Sequence, residues 1–458
     1  MFCGDGPRAR QWRDIKHSAL IMIKNEEFVA RRARLLNSLD NNSVAILPAA
    51  AEITRSRDTE FPFRQDSDFF YLTGFKEPDA VLVLSKDKAG KGLSTLFCRN
   101  KDKLAEIWHG RRVGFEQAKT RFAMDETHAL TELDDELLSL VNGTATLYFG
   151  QGTYPNFDDK VWGLLSTLRG APKKGYKAPE TIKDIRPLVH EMRLFKSADE
   201  IAVMRKAAKI SAQAHIRAMQ FAKADATEYQ LEAEIHHHYA MNGARYPAYG
   251  TIVGSGNNAN ILHYTENSDV LTQGDLILID SGCELEGYAA DITRTFPVSG
   301  QFSEAQTEIY NLVLKSQLAA FEEVKPGGTL VKANKQVVRV LTEGLIELGI
   351  LSGTLEELIE TQACKAFYMH GVGHWLGLDV HDVGEYKLDE ADRPFEAGMV
   401  LTIEPGLYFD EDAEVPEKYK GIGVRIEDDL LITQDGHENL TVDVPKSITE
   451  IEALMQKA

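Results

Sequence analysis

Apolar and polar positions along the chain fall into two textures. From about residue 25 to 180, short β-type runs ("SVAILPA", "AVLVLS", "STLFCR", "TLYFG") alternate with helical patterns such as "NEEFVARRARLLNSL" and "FEQAKTRFA". That alternation predicts an α/β domain. The segment "APKKGYKAPETIKDIRP" breaks the pattern with Pro, Gly and Lys and marks a boundary. Beyond it, Ser197 and Glu200 form a capping-box signature that opens a long helix, with Ile201, Met204, Ala208, Ile210 and Met219 near one stripe. Further helix starts are read at Thr227 with Gln230 and at Ser303 with Gln306, and helical patterns cover about 329–348 and 354–369. Between them lie the strand-like runs "LILID", "YAADITRTF", "MVLTIEPGLY" and "GVRIEDDLLIT". Helices over a mostly antiparallel sheet make this second half an α+β domain. The expected division is an extension over 1–21, an N-terminal domain over 22–180, a linker over 181–196, a C-terminal domain over 197–445 and a tail over 446–458.

The strand-like runs carry acids where apolar residues belong. In "LILIDSGCELEGYAADITRTF" two β-type runs flank a loop with Gly282 and Gly287, so a hairpin is expected. Centred between Leu285 and Glu286, it sets Asp280 directly opposite Asp291, with Cβ atoms roughly 4.5–5.5 Å apart. Two carboxylates that close in an apolar sheet need a shared proton or a cation between them. Glu404 ends an apolar run in "VLTIEPGLY", and Glu427 sits in "GVRIEDDLLI" with Arg425 two residues before it on the same face.

"HGVGHWLGLDVHD" adds His370, His374 and His381. The spacing of His370 and His374 suits one helical face, as in zinc proteases of the HExxH type, but the acid of that motif is missing and Gly371, Gly373 and Gly377 disfavour a helix. A loop or strand is expected, giving the histidines separate tasks. Four carboxylates and an imidazole form a hard, oxygen-rich set suited to two divalent cations such as Mn²⁺ or Co²⁺, which can activate a water and polarise a carbonyl. The chemistry implied is metal-assisted hydrolysis. By contrast His236, His237 and His238 are consecutive on a helical pattern and point about 100° apart, so they read as helix surface.

Composition narrows the partners. The 458 residues carry 51 Lys+Arg against 70 Asp+Glu, a formal charge of −19, which disfavours nucleic acid and anionic membrane surfaces. The apolar run "ALIMI" near the start is too short for a signal-peptide core. Four cysteines without paired spacing indicate neither a disulfide framework nor a CxxC zinc site, and a cytoplasmic location is expected.

The motifs "LILIDSGCELEGYAADITRTFPVSG", "HGVGHWLGLDVHD", "LTIEPGLY" and "GVRIEDD", with "ILHYTENS" around His263, resemble those of the Xaa-Pro aminopeptidase (aminopeptidase P) family, in the creatinase/prolidase/methionine aminopeptidase superfamily. The resemblance spans roughly 22–445. It implies a creatinase-like N-terminal domain, a "pita-bread" C-terminal domain and a dinuclear, usually manganese, centre. By motif, Asp280 would hold one ion, Asp291 and Glu427 both, and His374 and Glu404 the second. Glu404 would also accept a proton from the attacking water. His263, His370 and His381 would line the substrate pocket. Arg425 resembles a pocket arginine, with orientation of Glu427 and the third histidine as an alternative role. Trp108, in "IWHGRRVGF", resembles a tryptophan that reaches a neighbouring subunit's site, and Asp58 resembles a residue near the substrate amine. The implied substrates are peptides with proline second, and the implied assembly is a homo-oligomer, dimeric or tetrameric. A dipeptide-only prolidase and a non-catalytic peptide-binding member are the alternatives; the complete ligand set speaks against the latter.

Overall fold

The computed structural model describes residues 23–456, so the expected extension over 1–21 lies outside the described residues. The N-terminal half is built on a six-stranded mixed sheet in the order 126–129, 92–98, 81–86, 43–48, 146–149, 181–183. Strand 43–48 runs antiparallel to 81–86 and parallel to 146–149. Its alternate residues serve two cores. Val44 and Ile46 join Val81, Val83 and Phe149 against Leu137 and Val141 of the helix Leu133–Val141 and Val161, Leu165 and Leu168 of Pro155–Gly170. Ala45 and Leu47 face the other way, into a core continuous with the C-terminal half.

The stretch expected as a linker, 181–196, is structured. Thr181–Lys183 is the sixth strand of that sheet, paired with Thr146–Tyr148, and Arg186–Leu194 is a helix. Proline and glycine upstream marked a turn into this strand; Val189 and Leu194, fully buried, then tie the helix to the shared core. The expected tail contains the helix Ile448–Met455, capped by Ser447 and Glu450.

In the C-terminal half, helices Ala198–Phe221, Glu228–Met241 and Glu304–Phe321 start at the predicted caps, and Leu330–Glu347 fills the pattern read over about 329–348. The pattern over 354–369 yields only Leu355–Glu360 and a 3₁₀ turn at Ala363–Ala366, separated by Gln362 at φ 55°, which ends the first helix. His236 and His238 are half-buried and His237 exposed along one helix, and they do not converge.

The β-structure is antiparallel but divided into short sheets. Leu276–Asp280 pairs with Thr293–Pro297, and Cys283–Leu285 with Tyr288–Ala289, in two different sheets. Val400–Ile403 pairs with Asp428–Ile432, and Gly406–Phe409 with Ile422–Arg425, again in two. Each long hairpin is thus bent once, and the bends meet at one place.

The observed register of the first hairpin is displaced by two residues from the predicted one. Asp280 lies opposite Thr293, because the turn is made by Glu286 and Gly287, at φ 51° and 88°, the backbone of a two-residue primed turn. Gly282 is instead part of the crossing: a Cβ there would stand 1.6 Å from Ala290 O.

Candidate metal centre and substrate cavity

None of Asp291, Glu404 and Glu427 lies within a strand, contrary to the reading of acids embedded in continuous strands; each occupies a bend, and Asp280 is the last residue before one. Strand interruption leaves amides without ladder partners, and each finds another. Glu404 N donates to Val372 O at 2.8 Å, Glu427 N to Thr293 O at 3.1 Å, and Asp291 N to Asp429 Oδ2 at 3.1 Å. The bends therefore carry no buried orphan amide at these positions, and the acid side chains are aimed at a common point.

That point is a cavity of about 570 Å³ lined by all four acids together with His263, His370, His374, His381, Arg425 and Tyr249. Ligand atoms of Asp291, His374 and Glu427 lie within 4.8 Å of one another. His374 Nε2 is 3.5 Å from Asp291 Oδ2 and 3.6 Å from Glu404 Oε1. Its Nδ1 is 3.0 Å from Trp375 O, so that nitrogen carries the proton and Nε2 keeps a lone pair for a ligand in the neutral ring. The Tyr249 hydroxyl sits 2.7 Å from Asp280 Oδ1 and also contacts Asp291 Oδ1; with a single proton it satisfies one at a time.

Charge is not balanced in this cavity. Burial and the neighbouring Asp280 hold the Asp291 carboxyl above the usual range. Burial pushes Glu404 up to about 7 despite His374 and Arg425, and burial with Asp291 and Glu404 pushes Glu427 well above its ordinary value. Burial would pull the His374 imidazole down, but Asp291 and Glu404 outweigh it and raise it to about 9. The donor set thus fits divalent cations: buried, oxygen-rich, with one imidazole nitrogen directed inward and too little fixed positive charge.

Arg425 is the fixed positive group. Its Nη2 donates to Asp280 Oδ2 at 2.7 Å, its Nη1 to Tyr408 at 3.0 Å and its Nε to Thr293 Oγ1 at 3.2 Å. Contact with Glu427 is indirect, through the Thr293 hydroxyl that donates to Glu427 Oε2 at 2.7 Å. Arg425 and Glu427 face the same cavity, as their spacing implies, although a bend interrupts the strand between them. The histidine that Arg425 reaches is His370, through the Tyr408 hydroxyl, 2.8 Å from His370 Nε2.

Among the pocket histidines, His370 stands beside an acid, its Nδ1 3.9 Å from Glu404 Oε2. Burial, then Arg425, lower His370 to about 4, and burial, His374 and His263 lower His381. The His381 ring packs edge-on against His374, with centroids 4.2 Å apart. His263 is exposed at the rim, on a loop anchored by the buried Glu228, which accepts hydrogen bonds from Tyr264, Ser255, Asn258 and the amide of Asp269.

The structure brings Asp280, Asp291, His374, Glu404, Glu427, His263, His370, His381 and Arg425 together. It does not bring Asp58 or Trp108: Asp58 sits exposed in the turn of a small hairpin, and Trp108 is 77 % exposed on the helix Lys103–His109. Tyr249, Tyr408, Thr293 and Glu228 were not legible beforehand: Thr293 and Tyr408 lie inside the quoted motifs but carry no charge that marks them, and Tyr249 and Glu228 lie outside those motifs.

Comparison with known proteins gives a consistent picture. The profile of metallopeptidase family M24 matches residues 202–434, and that of the aminopeptidase P N-terminal domain matches 28–148. The chain is 52% identical over 436 residues to Xaa-Pro aminopeptidase of Escherichia coli K12, covering 95% of this chain and 99% of that one. It is 35% identical over 449 residues to human Xaa-Pro aminopeptidase 3, covering 95% and 87%. Zinc-substituted E. coli aminopeptidase P in complex with product superposes with a TM-score of 0.93 at 52% identity, over 95% of this chain and 99% of that one. Proline aminopeptidase P II from Yersinia pestis gives 0.93 at 51%, over 95% and 100%. With its acids gathered at strand bends behind an aminopeptidase P N-terminal domain, this chain belongs to metallopeptidase family M24.

Proposed function

We propose that this protein removes the first residue from peptides whose second residue is proline, using two divalent ions, Mn²⁺ in the cell. The observation that carries the reading is the unbalanced cluster of four carboxylates and His374 facing a cavity lined by His263, His370 and His381, the last two with imidazoles lowered by burial. Asp280 would serve one ion, Asp291 and Glu427 both, and His374 and Glu404 the other. Bound there, the ions would supply an activated water and polarise the scissile carbonyl.

The protein's own groups do the rest. Glu404 accepts the proton of the attacking water and passes it to the proline nitrogen as the C–N bond breaks. His263 and His381 supply N–H donors for the carbonyl oxygen as it gains charge, while His370, its ring nitrogens engaged by Gly371 O and Tyr408, shapes the pocket wall. A bond to proline has no N–H, so recognition must come from the free amino terminus and the ring. Trp108, with Leu104 and Ile107 exposed beside it, is offered to a second copy of the chain in a dimer or tetramer. Cytoplasmic residence fits the free, buried thiols of Cys98, Cys283 and Cys364, and no helix among the described residues is long and apolar enough to cross a membrane.

The test is a peptide series with the Mn²⁺-loaded protein. Release of arginine from Arg-Pro-Pro and none from its acetylated form is expected; cleavage confined to Xaa-Pro dipeptides would make the protein a prolidase, and efficient cleavage of the acetylated peptide would refute the exopeptidase reading.

A further inference from the structure

One buried ionic cluster lies behind the cavity, outside the metal set. Arg193, 3 % exposed at its side chain, spans three acids: Nη1 donates to Asp68 Oδ1 at 2.7 Å, and Nη2 to Asp379 Oδ2 at 2.8 Å and to Asp382 Oδ1 at 2.6 Å. Lys196 Nζ donates to the second oxygen of Asp382 at 3.0 Å, and both of those side chains are 1 % exposed. Asp68 belongs to the N-terminal helix Ser67–Thr73. From the start of that helix Ser67 donates to Asp379 Oδ1 at 2.6 Å, and the nearby Arg64 to Leu378 O. The loop 378–382 is therefore clamped from the N-terminal domain on one side and from Arg193 and Lys196 on the other.

This loop delivers His381. Asp382 follows it directly, and its amide donates to Trp375 O at 2.8 Å, folding the loop back on the residue after His374. Gly377 leaves room for the carboxylate: a Cβ there would lie 2.1 Å from Asp382 Oδ2. Both oxygens of Asp382 are thus fixed by cations while the adjacent imidazole stands against His374 in the cavity. A salt bridge this deep is poor evidence for stability, because desolvation offsets the attraction. Its geometric consequence is firmer: the backbone at 381–382 has little freedom, and a catalytic group displaced by about 1 Å can lose up to a hundredfold in rate.

We propose that Arg193 and Asp382 are positioning residues for His381, and that Ser67 and Asp68 of the N-terminal domain take part in holding it. This rests on the role given to His381 above. The N-terminal domain then contributes to turnover by fixing a loop of the other domain.

The experiment is a double-mutant cycle in the full-length, Mn²⁺-loaded protein, with kcat and KM measured on Arg-Pro-Pro and metal content determined for every variant. Arg193→Lys keeps the charge but loses the fork; it is expected to lower kcat about tenfold with KM within about twofold and metal unchanged. On the His381→Ala background the same substitution is expected to change kcat by less than about twofold, because the group it positions is gone. Ser67→Ala, a milder change, should lower kcat about threefold and also lose its effect on that background, which keeps the test valid if Arg193→Lys does not fold. Multiplicative losses with His381→Ala already impaired would overturn this inference alone, as would parental kcat in both Arg193→Lys and Ser67→Ala or loss of metal from either. Parental kcat in His381→Ala would overturn the role of His381 itself, and this inference with it.

Discussion

Glu427 and Asp428 are neighbours in the chain, 1 % and 0 % exposed, yet their carboxyls live in opposite electrostatic worlds. Asp428 accepts from Arg294 at 2.7 Å, Lys446 at 2.7 Å, Thr441 at 2.7 Å and Gln317 at 3.0 Å. Burial alone would raise it, but the two cations hold it down to about 2. Glu427 has one hydroxyl donor, Thr293, and otherwise faces Asp291, Glu404 and Asp280, so it is pushed up. Adjacent residues at a bend point to different sides, and the protein has neutralised one side with its own cations. The difference separates this structural acid from this ligating one: both are buried, and only Asp428 is paired with cations of the protein's own.

The largest expected effect breaks the uncompensated side. Asp291→Ala or Glu427→Ala should lower turnover by at least about three orders of magnitude and remove bound metal together. The metal-free forms should be no less stable than the metal-free parent, because a repelling charge has gone. A variant that keeps its ions and full turnover would contradict the ligand assignment; metal analysis alongside kcat decides.

The same substitution one residue later should do something else. Asp428→Ala strands Arg294 and Lys446 without their carboxylate, and removing one partner of a buried ion pair costs about 3–5 kcal/mol. Urea unfolding should show that loss, with metal stoichiometry retained in the fraction that stays folded. If Asp428→Ala instead stripped the metal without destabilising the chain, the contrast between the two neighbours would collapse.

His381→Ala sharpens the comparison from the cavity side. His381 faces the site but holds no ion in the proposed arrangement, so its loss should leave metal content intact and lower kcat about a hundredfold, equivalent to about 2.7 kcal/mol. Normal kinetics would remove it from the site.

The contrast was half legible in the sequence. Capping signatures at Ser197 and Ser303 and the alternation in "SVAILPA" translated directly into elements, because those rules act within a few residues. The acids of the centre stood out as charges in apolar runs. Their placement did not: the register was shifted because Glu286 adopts positive φ, which spacing could not reveal, and the bends are stabilised by long-range partners such as Val372 and Thr293. The apolar pattern of "GVRIEDDLLIT" does not distinguish Glu427 from Asp428; only the motif resemblance singles out Glu427. That distinction is made by Arg294, 134 residues away from Asp428 in sequence, and by Lys446. Trp108 and Asp58 show the opposite limit, where a motif match named residues that one copy of the fold leaves outside its own cavity.

The smallest expected effect is a pH dependence with two limbs of opposite sign, seen best after the metal is stripped. Asp291, Glu404 and Glu427 have raised values in the fold, so folding retains protons that the unfolded chain releases from about pH 4. Their contribution is fully present below that point and is lost as pH rises through the folded values, about 7 for Glu404. His374, raised to about 9, adds to the loss in the same direction between its ordinary 6.5 and 9. Asp428 runs the other way: depressed to about 2, it contributes fully above its ordinary 3.8 and loses that contribution as pH falls through 2. These acids and His374 alone would make the metal-free protein most stable near pH 4–5. His370, lowered to about 4, and His381 oppose them by losing stability as pH falls below 6.5, and Mn²⁺ should restore stability near neutrality by replacing the protons on the acids. Urea midpoints across pH 2–9, with and without Mn²⁺, measure both limbs. If Glu427→Gln left the change in stability of the metal-free protein between pH 5 and pH 8 as it is in the parent, the Glu427 carboxyl would already have its counter-charge, which is the condition that Asp428 meets and Glu427 does not.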